Sequence, residues 1–277
     1  MLATLLGGCS ALRFGYGQAD VFAFRWIDNY VDFDAVQARR VRQALDAWFA
    51  WNRRTQLDDY AQLLGRIEGA LLVDTTPEKV CGWWDEVRIR FDRAVDQAVP
   101  AIAEVSATLR PTQIENVEQR YAKSNREYRD DYMQPDLAKR QREAAKRTIA
   151  RAESLYGDLD RAQSERIRAA LMRSTFDPVL ADEERRRRQQ DSLQVLRRIA
   201  SGSLDGPAAQ AEIRAYVDRA ERSPREHYRR YSEQLVRDNC RLAAEIHNGT
   251  TPEQRKVAAR RLRGWAEDLR ALAAEPG

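Results

Sequence analysis

Apolar residues recur every three or four positions through nearly the whole chain, and no run alternates apolar and polar residues long enough to make a useful strand. Such a pattern gathers its apolar side chains on one face only if the backbone coils as an α-helix. Val41, Leu45, Trp48 and Phe49 form one stripe, and Leu57, Tyr60, Leu64, Ile67 and Leu71 a second. Val80, Trp84, Val87, Phe91 and Ala98 make a third, followed by Ile114, Val117, Tyr121, Tyr128 and Tyr132. Tyr228, Tyr231, Leu235, Leu242 and Ile246, then Ala258, Leu262, Trp265, Leu269 and Leu272, complete the set. Breakers separate the stripes at Asp74-Thr75-Thr76-Pro77, Pro135, Pro178, Pro207, Pro224 and Asn248-Gly249-Thr250-Thr251-Pro252. Thr76 is expected to cap a helix, and Pro100 to kink or end one. The predicted fold class is all-α, with long amphipathic helices in antiparallel hairpins forming an elongated bundle or curved array. Charged residues make up 32% of the 277 residues and hydrophobic ones 43%, which suits helices that each keep one wet face. One helical domain over 9–277 is expected, with a hinge near 201–207 at Ser201-Gly202-Ser203 to Gly206-Pro207.

The amino end carries a processing signal. Leu6-Gly7-Gly8-Cys9 has the order of a bacterial lipobox, an aliphatic residue and two small ones before a cysteine. Small residues let the chain lie extended in a peptidase groove, and the Cys9 thiol is the expected point of diacylglycerol attachment. Several acyl chains hold a protein firmly, where one binds only marginally. Residues 1–8 are read as the remainder of a truncated signal peptide, because the basic n-region and full apolar core are missing. A start codon assigned too late accounts for that. Ser10, next to Cys9, favours the outer membrane by resemblance to enterobacterial sorting rules. The expected location is therefore the cell outer membrane, facing the periplasm and anchored by lipid. The oxidising compartment leaves two readings of Cys81 and Cys240, a disulfide or two buried thiols.

A short pattern recurs at four predicted helix starts: Phe33-Asp34-Ala35-Val36-Gln37, Leu109-Arg110-Pro111-Thr112-Gln113, Leu159-Asp160-Arg161-Ala162-Gln163 and Thr250-Thr251-Pro252-Glu253-Gln254. Its physical content is a capping box, in which an Asp or Thr at the N-cap accepts from the backbone and Gln three residues on reaches back. Arg110 departs from it, having no acceptor. Spacings of 76, 50 and 91 residues are too irregular for a solenoid. The copies resemble the Leu-Thr-x-x-Gln motif of the Spy/CpxP group of periplasmic stress proteins. That resemblance implies an all-helical fold and, as in Spy, nucleotide-independent chaperoning through a concave cradle. A closer resemblance lies in Leu12-Arg13-Phe14-Gly15-Tyr16, Ala19-Asp20, Trp26-Ile27-Asp28-Asn29-Tyr30-Val31-Asp32-Phe33-Asp34 and Gln37. These look like a family of uncharacterised Gram-negative lipoproteins known only as a domain of unknown function. It implies location and helical fold, and no activity.

No catalytic set stands out. His227 and His247 are the two histidines, without metal spacing, and His227 reads as a surface residue. His247, in a last helical turn, is expected to interact with the exposed helix carbonyls. The acidic pairs Asp58-Asp59, Asp130-Asp131 and Glu183-Glu184 diverge by about 100° on a helix. Arg185 to Arg188 read as a solvated helix face. Trp83 and Trp84 cannot share one helix face, and the stripe assigns Trp84 inward and Trp83 to the edge or outward. No metal or cofactor is expected, and no nucleic-acid partner. The function expected is that of a lipid-anchored, non-enzymatic envelope protein that binds other macromolecules, with chaperone-like holding. The alternative is a structural envelope protein that binds anionic lipid or polysaccharide through its Arg-rich C-terminal half. Residues 109–277 hold 35 basic and 28 acidic side chains, against 12 and 15 in residues 1–108.

Overall fold

The computed structural model describes residues 11–275, all-α as predicted, with twelve helices and no strand among them. They are α1 (Ala11–Tyr16), α2 (Ala19–Val31), α3 (Ala35–Thr55), α4 (Leu57–Ala70), α5 (Pro77–Ser106) and α6 (Pro111–Tyr132), then α7 (Leu137–Tyr156), α8 (Arg161–Leu171), α9 (Pro178–Ala200), α10 (Gly206–Glu221), α11 (Glu226–Asn248) and α12 (Pro252–Ala274). Asp and Thr caps start many of them. Thr76 Oγ1 accepts from Lys79 at 3.4 Å, while Asp34, Asp160 and Thr251 each accept from the backbone of the glutamine three residues on.

The four glutamines of these starts do more than cap. Gln37 and Gln113 form a reciprocal amide pair, with Nε2 to Oε1 distances of 3.1 and 2.7 Å. Gln163 and Gln254 form a second, at 2.7 and 3.0 Å. Each amide nitrogen also donates to a carbonyl two residues before the partner's N-cap. Gln37 reaches Thr108, Gln113 reaches Asp32, Gln163 reaches Gly249 and Gln254 reaches Asp158. Every Oε1 also accepts from the amide of its own cap residue. Arg110 turns its missing acceptor to use: its guanidinium reaches Asp34 Oδ2 at 2.6 Å, across the pair. That hydrogen bond, after the Gln37 backbone, holds the Asp34 carboxyl below the usual carboxylate range.

These pairs join two chain reversals back to back, twice. The α2–α3 turn meets the α5–α6 turn, and the α7–α8 turn meets the α11–α12 turn. The surrounding helices follow the same plan. α2 packs on α6 as α7 packs on α12, and α3 on α5 as α8 on α11. The units then interlock: α4 of the first lies along α12 of the second, and α9 of the second along α6 of the first.

The core is divided rather than single. Leu71, Ala152, Tyr156, Ile167, Ala258 and Leu262 form one cluster, and Val99, Ala103, Val195, Ile199, Ala209 and Ile213 another. Val31, Leu109, Ile114, Val117 and Leu193 form a third, and Phe24, Ala38 and Val41 a fourth. The chain exposes 16642 Å², where a compact monomer of this mass exposes roughly 12,000 Å². Residues 201–205 link α9 to α10 at the expected hinge, with Gly202 at a φ of 74°, and both helices feed the same core cluster.

Pro100 does not end a helix, as α5 continues to Ser106. Pro100 and Asp96 are both exposed, so water can serve the Asp96 carbonyl that loses its amide partner.

Candidate functional site

The region where α11 meets the α4–α5 connection is held at several points. Cys81 of α5 and Cys240 of α11 form a disulfide, with Cα atoms 5.5 Å apart. Asn248 makes two hydrogen bonds to the Thr75 backbone, at 2.9 and 3.0 Å. His247 is 2% exposed. Its Nε2 donates to the Val73 carbonyl at 2.9 Å, which leaves Nδ1 to accept from the Tyr156 hydroxyl at 3.0 Å. The ring thus grips a loop carbonyl and a tyrosine rather than its own helix end, because α11 ends against α7 and the 71–76 loop. Burial lowers the His247 pKa and pushes Tyr156 up to about 12. His227 is exposed on α11.

The arginine run is only in part a solvated face: Arg186 is exposed, whereas Arg185, Arg187 and Arg188 are half-buried. Glu184 is fully buried on α9 and takes Arg187, Arg188 and Arg225 as ion partners. Asp182, also buried, pairs with Arg186 at 2.8 Å. Asp191 joins Arg187 to Arg219, and its carboxyl is held low chiefly by the Arg219 hydrogen bond. Arg185 bonds the Ser124 side chain at 2.5 Å and lies over the Tyr128 ring. The charges are drawn inward because α9 lies between α6 on one side and α10 on the other, with the start of α11 close by. Acids three and four residues away along α9 then meet arginines from other helices.

On α5 the inward assignment of Trp84 fails, while Trp83 keeps to the edge of the packed face. Trp84 is 48% exposed, whereas Trp83 is half-buried. Val87 and Phe91 are exposed as well, and Ile102 continues the line. The buried residues of α5 are Val99, Ala103 and Ser106. On the helical wheel, Trp84, Val87, Phe91 and Ile102 lie within about 60° of one another. They flank the packing face and leave an apolar ridge without a partner among the described residues. Trp48, by contrast, packs between Phe49 and Trp51 and donates to the Ala94 carbonyl at 2.9 Å.

A groove of about 440 Å³ opens between α8 and α11, floored by Leu159, Ile167, Leu242 and Ile246. Arg166 and the Arg173–Glu245 pair stand at its rim. No group of three His, Cys, Asp or Glu side chains is placed to hold a metal among the described residues. None of the described helices is long and apolar enough to cross a membrane. Cys9, the expected lipid attachment point, lies outside the described residues.

No curated protein and no solved structure matches the chain. A family match covers residues 29–206, from the end of α2 through α9, and so takes in the first glutamine pair, Gln163 and Glu184 with Arg187 and Arg188, but not Arg219 or Arg225. The chain therefore belongs to the family of unknown function DUF6279.

Proposed function

We propose that this chain is a lipid-anchored protein of the cell envelope, facing the periplasm from the outer membrane, that binds other polypeptides and holds unfolded ones. The apolar ridge Trp84–Val87–Phe91 on α5 carries the reading. Contiguous apolar surface on a well-packed helix marks a binding face more often than a packing error. A long, stapled array of helices presents such a ridge without closing over it. The Cys81–Cys240 bond fits an oxidising compartment, and Leu6-Gly7-Gly8-Cys9 supplies the anchor.

The test uses the full chain carrying Cys9→Ser, so that acylation does not complicate handling. It should slow aggregation of several unfolded clients at near-stoichiometric ratio without nucleotide, and Trp84→Ser with Phe91→Ser should abolish the effect. No slowing by the parent chain would remove the holding activity. Acyl incorporation in the native protein, lost in Cys9→Ala, tests the anchor separately.

Binding of an anionic polymer through the C-terminal half has less support. Arg186, Arg187, Arg188, Arg197, Arg198, Arg219 and Arg225 all pair with acids of the chain itself.

A further inference from the structure

Phe22 and Trp26 sit one turn apart on α2 and are 56% and 65% exposed. They face away from Phe24 and Val31, which the same helix buries. Arg25 and Asn29 flank the two rings and are exposed; Asn29 accepts from Arg120 of α6, while Arg25, at the mouth of the α2–α3 groove, makes no ion pair among the described residues. Phe14, on the short α1 just before, is 69% exposed. Trp26 touches Tyr30 along one edge, with ring centroids 5.1 Å apart, and still leaves most of its surface to solvent, as Phe14 and Phe22 do. The sequence already held the signal, since Phe22 and Trp26 are spaced i,i+4 opposite the buried pair.

We infer that this aromatic face of α1 and α2 lies in the headgroup region of a phospholipid bilayer. The inference rests on the lipid-anchor reading of Cys9. Two residues of chain reach at most about 7 Å, and Cys9 stands two residues before Ala11, the first residue of α1. Acyl chains on Cys9 therefore keep the bilayer surface close to α1. Trp26 suits the bilayer interface, where its apolar ring and polar N–H are both satisfied, and Phe14 and Phe22 can sink their rings to the acyl boundary just below. Arg25 can extend to lipid phosphate from the same face. From Ala11 to Ala47 the chain has five Arg and five Asp, so the rings rather than net charge favour contact. Docked this way, α2 lies on the membrane and fixes how the remaining helices project from it.

The experiment uses the native acylated chain in vesicles of phosphatidylethanolamine and phosphatidylglycerol with brominated acyl chains. Tryptophan emission should be quenched in the parent. Trp26→Phe should lose most of that quenching, and Phe22→Ser with Phe14→Ser should reduce it while the unfolding midpoint stays unchanged. An acylated chain whose quenching is the same with and without Trp26 overturns the membrane face and leaves the anchor standing. The same result with a change in sedimentation mass on Phe22→Ser assigns the face to a protein contact instead. A chain without acyl groups at Cys9 overturns both.

Discussion

A primary amide side chain offers two donors and one oxygen with two lone pairs, and burial makes each unmet one costly. Gln113 is 1% exposed and uses them on Asp32, Gln37 and its own cap residue Arg110. Gln113→Leu keeps the volume and strands those partners, so we expect a loss of about 2–3 kcal/mol in urea unfolding. In a double-mutant cycle, Gln37→Ala and Gln113→Ala should be non-additive by about 1 kcal/mol, because either change already breaks the pair. His247 gives a second test at this scale. Its pKa is lowered in the folded chain, so the unfolded chain binds more protons as pH falls through the ordinary histidine range near 6.5. Stability should therefore be flat above about pH 7 and decline below about 6.5. The decline should shrink in His247→Gln, read as urea midpoint against pH. The capping role of each glutamine is legible in a five-residue window. Its partner is not, since the pairs span 76 and 91 residues.

Among helices, α5 and α9 show how periodicity leaves open which face turns inward. α5 carries apolar residues around more than half its circumference, so several phases bury a stripe equally well. Contacts with α3, α9, α10 and α11 decide, and they leave Trp84 outside. Trp84→Ser should change stability by less than about 0.5 kcal/mol, whereas Val99→Ala, at a residue with no exposure, should cost about 1–3 kcal/mol. Thermal unfolding of the two variants side by side checks the assignment. On α9 the charges were readable as residue types but not as a network, because Arg219 and Arg225 arrive from beyond the helix. Glu184→Gln leaves Arg187, Arg188 and Arg225 without their shared counter-charge. We expect a loss of roughly 3 kcal/mol, read as the urea midpoint.

At the scale of the whole molecule, small separate cores leave much of the stability to long-range ties. The disulfide joins residues 159 apart in sequence, a loop whose closure is worth roughly 3–5 kcal/mol on the chain-entropy account. Cys81→Ala with Cys240→Ala, or reduction with a thiol, should lower the urea midpoint accordingly, and the effect of the thiol should vanish in the double variant. Helix type and most caps were written locally, because hydrogen bonds within a helix and its first turn involve residues at most four apart, although α5 runs on past Pro100. Two cysteines and four capping glutamines could be recognised as residues with something to do. Which of them meet, which tryptophan stays wet and where the arginines find acids depended on helices brought together from distant parts of the chain. Only after packing does burial distinguish between side chains that the linear pattern treats alike.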